Sequence, residues 1–148
     1  MLKGIHPLLG PNLLYALKSM GHGDDIVIAD ANFPASSMGP DVIRADGVSA
    51  TDMAEAILTH MPLDTFVPQS AWRMEVVGDA KAVPEVCAEF QEIVTRRAGN
   101  FPIASVERFA FYEMARKAAY IVATTEFRLY GNLILKKGVV HPHEVRFD

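Results

Sequence analysis

Residues 20–34, MGHGDDIVIADANFP, hold two side chains able to do chemistry, His22 and Asp30, eight residues apart. Glycines flank His22 on both sides, give it no side-chain cover and let the backbone reach positive φ. Imidazole changes charge near neutrality, so an uncovered His22 can both give and take a proton. The plainer alternative is a solvated histidine in the loop after a helix. Asp30 closes the apolar run Ile26–Ala29, and ligands of open α/β sheets gather at the carboxyl ends of strands. A carboxylate there can accept hydrogen bonds from hydroxyls or orient an imidazole; alternatively it caps its own turn in ADANFP.

Three further stretches carry polar groups worth weighing. Arg108 opens RFAFYE (108–113). Its guanidinium is a rigid fork of donors suited to two adjacent hydroxyls or a carboxylate, or it simply pairs with Glu107 or Glu113. Tyr130, Gly131 and Asn132 precede the last apolar run. They offer donors and acceptors, with Gly131 allowing close backbone approach to a ligand, or they form only a β-turn. Tyr120 begins another apolar run and is either a functional hydroxyl or a core tyrosine.

Other chemistries lack their signatures. The chain has no GxGxxG, Walker or GxSxG motif. Cys87 falls inside an apolar helical stretch and makes a poor nucleophile. His141 and His143 have no third ligand in view for a metal, and His6 and His60 carry no pattern. The 148 residues suit one domain. The net charge of −4, from 14 basic and 18 acidic side chains, argues against a nucleic-acid surface. No stretch reaches the roughly 18 apolar residues of a membrane span. One cysteine and no recognisable signal peptide point to the cytoplasm.

The elements that must position these residues follow from periodicity. Asn12–Met20 reads as a short helix ended by Gly21. Ile26–Ala29 and Val42–Ala45 read as strands. Asp52–His60 reads as a helix capped by Ser49 or Thr51, and Thr65–Val77 as one or two strands broken at Pro68. Pro84 opens a helix with Val86, Phe90, Ile93, Val94 and Arg97 on its apolar stripe, ended by Gly99. Ile103–Val106 is a strand, Arg108–Ala118 a helix, and Tyr120–Ala123 and Leu133–Leu135 are strands. The alternation predicts an α/β fold, a mainly parallel central sheet flanked by helices in three layers.

Taken together, LKGIHPLLGPNLLYALKSMGHGDDIVIADANFPA, SMGPDVIRADG, RFAFYEMARKA and YGNLILKKGV resemble the L-fucose mutarotase and D-ribose pyranase family. The resemblance runs nearly end to end, weakest over Thr65–Gly99 and after Val140, and RFAFYE looks closer to the fucose branch. It implies interconversion of the anomers of a reducing monosaccharide, such as L-fucose, without metal or cofactor. It implies His22 as proton donor, Asp30, Arg108 and Tyr130-Gly131-Asn132 as sugar contacts, and Tyr120 as a residue tied to pyranase activity. It also implies rings of subunits, commonly homodecamers. D-ribose pyranase activity and a non-catalytic sugar-binding accessory to a transporter are the competing functions.

One conflict is visible in advance. A strand advances about 3.3 Å per residue, so eight extended residues separate His22 from Asp30 by roughly 26 Å. Either the GHGD bend folds His22 back, or the His22 of one subunit meets the Asp30 of another. The second is the expectation.

Overall fold

The structure is a computed structural model and describes residues 1–147. Pro11 supplies the first turn of α1 (Pro11–Ser19), where a missing N–H costs nothing. Next come β1 (Asp25–Ala29), β2 (Asp41–Ala45) and α2 (Ala50–Leu58). Of the two candidate caps for α2, Ser49 does the work: its Oγ accepts from Asp52 N at 3.0 Å. Then follow β3 (Ala71–Met74), α3 (Glu85–Arg97) and β4 (Ala104–Val106). The chain continues with α4 (Arg108–Lys117), β5 (Tyr120–Thr124) and β6 (Leu133–Lys136). Gly99 stops α3 at φ +106°, with its N–H bonded back to Val94 and Thr95.

The strands form one sheet in the order β2-β5-β1-β6-β3-β4. β2, β5 and β1 are mutually parallel, as are β3 and β4; β6 runs antiparallel to both β1 and β3. The sheet is therefore mainly parallel, with one reversed strand in its middle. Alternation within β1 feeds two cores. Ile26 and Ile28 pack with residues of α1, α2 and α3, while Val27 and Ala29 pack with Phe111 and Ala115 of α4. Burial on both faces explains why the inner strands read as unbroken apolar runs. Ile26 and Ile28 are fully buried, each contributing about 1.5–3 kcal/mol relative to exposure.

The strand expected across Thr65–Val77 is shorter than predicted, confined to Ala71–Met74. Asp64 is the reason. Its Oδ1 accepts from Phe66 N at 2.9 Å, and its carbonyl accepts from the Ser70 hydroxyl at 2.5 Å. These bonds close a turn that overrides the strand preference of Thr65, Phe66 and Val67, and all three are exposed.

Candidate active site

The candidate residues divide between the two ends of β1. At its carboxyl end Asp30 is buried, with each carboxylate oxygen accepting one hydrogen bond. Its Oδ1 accepts from Asn32 N at 2.9 Å and its Oδ2 from Asn132 Nδ2 at 2.8 Å. In return Asp30 N donates to Asn132 Oδ1 at 2.8 Å. The antiparallel register, Ile28 opposite Leu133, brings these two residues together across 102 positions of sequence. Burial raises the Asp30 carboxyl above its ordinary value, and the Glu126 charge adds to that rise; hydrogen bonds from Asn32, Asn132 and Phe33 partly oppose it.

Arg108 is the first residue of α4 and is half-buried. Neither carboxylate expected to neutralise it does so. Glu107 caps the helix, accepting from Phe109 N at 2.8 Å and Ala110 N at 3.1 Å, and Glu113 pairs with Arg116. The Arg108 guanidinium lies 4.6 Å from the Phe109 ring centroid. Its Nε is buried without a partner among the described residues, which leaves a donor available to a ligand.

Tyr130 adopts φ +67°, rare for a residue with a side chain. Its carbonyl accepts from Asn132 N at 2.8 Å, and its hydroxyl accepts from Val77 N at 3.0 Å. A hydroxyl that spends a lone pair on Val77 still has its own proton to give. Gly131 differs from expectation. It is buried outside the cavity, and a Cβ there would meet Glu126 Cγ at 2.6 Å. Its missing side chain makes room for Glu126, not for a ligand. Asp30, Arg108, Tyr130 and Asn132 converge on a cavity of about 200 Å³, with Phe33, Met74 and Tyr112 as an apolar wall. That is below the roughly 300–1,000 Å³ of drug-sized sites and suits a small, hydroxyl-rich ligand.

The other end of β1 holds His22, whose side chain is 46% exposed. Its Nε2 lies 2.9 Å from Asp64 Oδ1, and its ring packs 5.2 Å from Phe66. Asp64 is buried. Burial pushes its carboxyl upward, but hydrogen bonds from Phe66 N and His22 outweigh that and hold it below its ordinary value. Tyr120 belongs to this end too, opposite Ile26 in the sheet register, with its hydroxyl 3.0 Å from Ser19 Oγ. Neither His22 nor Tyr120 lines the cavity. From Asp25 to Asp30 the strand alone advances about 16 Å, so the GHGD bend does not fold His22 back onto Asp30.

Asp64 has no sequence signal as a partner of His22, because 42 residues separate them. Met74 and Tyr112 were equally invisible, as a core methionine and a helix aromatic. Among the described residues no three or more His, Cys, Asp or Glu side chains converge as metal ligands, and His141 and His143 stack on each other at the surface. A larger cavity, about 370 Å³, lies near the carboxyl ends of α2 and α3 and contains none of the predicted site residues.

The sequence profile of the RbsD / FucU transport protein family matches residues 3–140. The chain belongs to the RbsD / FucU family. Within it, the fucose mutarotase of Bos taurus is 50% identical over 151 residues, covering 98% of each chain. The crystal structure of a fucose mutarotase in complex with L-fucose from Streptococcus pneumoniae superposes with a TM-score of 0.88 at 41% identity. That match covers 95% of this chain and all of that one. Bacillus subtilis RbsD complexed with D-ribose is more distant, with a TM-score of 0.75 at 25% identity over 95% of this chain and all of that one. The three-layer sheet with its reversed strand is thus the fold of the RbsD / FucU family.

Proposed function

We propose that this chain is a fucose mutarotase, an isomerase that interconverts the α and β anomers of L-fucose by opening and reclosing the hemiacetal ring. The observation that carries the reading is the convergence of Asp30, Arg108, Tyr130 and Asn132 on one small cavity, in a chain half identical to a fucose mutarotase. Ring opening needs a proton delivered to the ring oxygen and another removed from the anomeric hydroxyl. A positioned general acid–base contributes on the order of 10²–10⁴-fold, and His22 is that group.

An ionised Asp64 can only accept, so it holds the His22 proton on Nε2 and leaves the lone pair on Nδ1. On ring opening, the imidazolium gives its Nδ1 proton to the ring oxygen as the bond to the anomeric carbon breaks, and the proton of the anomeric hydroxyl passes to solvent water. On closure, Nδ1 takes its proton back from the attacking hydroxyl and water protonates the carbonyl oxygen. Asp30 accepts from sugar hydroxyls, while Arg108 and the Tyr130 hydroxyl donate to sugar oxygens. Asn132 is largely consumed by Asp30, so its role is to aim that carboxylate. The aldehyde must rotate before the ring recloses, so the far hydroxyls are gripped more tightly than the anomeric one.

The length of β1 supports a site shared between subunits, His22 from one protomer serving the cavity of another. We therefore place the enzyme in a homo-oligomer; the resemblance to the family adds a ring, commonly a decamer, and the single cysteine suits the cytoplasm. Sedimentation equilibrium reads the first point, since a fully active monomer excludes a shared site. Tyr120, remote from the cavity of its own chain, reaches substrate only across such an interface.

Saturation-transfer NMR on a panel of aldoses tests the activity. Exchange is expected to be fastest for L-fucose and slower for D-ribose, in line with the lower identity to RbsD. A sugar that binds while exchanging no faster than in buffer would make the protein a non-catalytic binding accessory.

A further inference from the structure

The two polar walls of the cavity come from distant stretches of chain, the turn after Asp30 and the turn at Tyr130. One residue outside the cavity is bonded to both, by its backbone to the first and by its carboxylate to the second. Glu126 is almost fully buried, its side chain 1% exposed. Its carbonyl accepts from Ala31 N at 2.8 Å, and its N–H donates to Thr124 Oγ1, which in turn donates to the Ala29 carbonyl at 2.7 Å. The end of β1 that presents Asp30 is thereby fastened to the backbone of Glu126.

The carboxylate fastens the other wall. Oε1 accepts from Arg128 N at 3.0 Å and Arg128 Nε at 2.9 Å. Oε2 accepts from Arg128 Nη2 at 3.0 Å and from Ala50 N, in the first turn of α2, at 3.3 Å. Arg128 Nη1 continues to Glu89 Oε1 on α3 at 2.8 Å. The loop leading into the left-handed Tyr130 is therefore tied to two helices, and Glu126 Cγ occupies the space that Gly131 leaves open. Four donors meet one acceptor-only group. A buried carboxylate is kept in such a place only when its lone pairs are met this fully.

We propose that Glu126, held by Arg128, is a positioning residue that sets the distance between the Asp30 and Tyr130 walls, so that sugar affinity depends on it and proton transfer at His22 does not. The inference rests on the reading of the cavity as the sugar site. Glutamine at 126 keeps the shape, but its amide nitrogen is a donor facing donors, so part of the network must open.

The test compares wild type, Glu126→Gln, Arg128→Met and the double variant in the full-length protein. Calorimetry with L-fucose gives Kd, and saturation-transfer NMR gives kcat and KM for anomer exchange. Each single variant is expected to raise Kd and KM about tenfold with kcat within about twofold. The double variant is expected to be no worse than the poorer single one, as for residues acting as a unit. Unchanged Kd in a folded variant, a loss confined to kcat, or multiplicative effects in the double variant would overturn the proposal. Should Glu126→Gln fail to fold, the half-buried Arg128→Met decides it by the same Kd criterion. A wild type that binds L-fucose without accelerating exchange defeats the catalytic reading and leaves Kd to judge Glu126. A wild type that binds no L-fucose defeats both.

Discussion

The two ends of β1 are built on opposite plans. At the carboxyl end every polar group of Asp30 is met: two backbone or amide donors on its oxygens, and the Asn132 oxygen on its own N–H. Asp30 and Asn132 are both buried. At the amino end His22 sits half exposed on a glycine-flanked loop, held by a single carboxylate and one aromatic ring. The difference follows from what each end has to do. Recognising hydroxyls requires acceptors and donors fixed in advance, because every group ordered during binding costs affinity. Carrying a proton requires a titratable group that solvent and substrate can both reach, so it cannot be sealed in. Nδ1 stays free because Asp64 engages only Nε2.

That contrast can be broken in order of effect. His22→Asn is expected to lower kcat for L-fucose exchange on the order of 10²–10⁴-fold, with Kd within about twofold. A large loss of affinity would mean that the amino end also grips the sugar. Mixing His22→Asn and Asp30→Asn protomers, with subunit exchange and with L-fucose well below the KM of Asp30→Asn so that each variant alone is nearly silent, is expected to restore about a quarter of wild-type activity if two protomers build each site. No recovery in mixed rings would return both residues to one chain. Asp30→Asn alone should raise KM about 10- to 100-fold, the usual cost of losing hydrogen bonds to a charged group.

The carboxyl end also makes a pH prediction. The Asp30 pKa is raised in the folded chain above 3.8, so the folded state holds that proton more tightly than the unfolded one. The stability this contributes is present below about 3.8 and is lost as pH rises through the raised value. Sugar affinity should move the other way, improving across the same window as Asp30 ionises. An affinity profile with its midpoint below 3.8 would show that Asp30 is not the acceptor. The smallest effect is expected for Gly131→Ala. Its Cβ meets a Glu126 side chain that is bonded in place, so overpacking should cost about 1–3 kcal/mol, read from the urea midpoint.

Much of this architecture was legible in the residues. Doubly buried strands announce themselves as short apolar runs, and Pro84 and Gly99 mark the ends of α3 for local reasons. His22 and Asp30 stand out because their neighbours leave them unexplained, and the five residues of β1 are enough to set them apart. What stayed hidden depends on distance along the chain. Thr65–Val67 have strand-forming side chains, and only the bond from Phe66 N to Asp64 reveals a turn. Asp64 itself gains meaning from a histidine 42 residues away. The reversed direction of β6 leaves no trace in LILK, since an apolar run reads the same both ways. Gly131 looked like a glycine cleared for a ligand, and only packing shows that it is cleared for Glu126.

The reversed strand has a consequence for how the molecule is made. β2-β5-β1 and β3-β4 share no pair of strands; Leu133–Lys136 joins them by slotting between β1 and β3. Without that strand the chain would hold two half-sheets, each with an open border at β1 or β3. A chain stopped at Asn132 is therefore expected to pellet on centrifugation where the full chain stays in solution; a soluble, compact fragment would show that the halves close without their keystone.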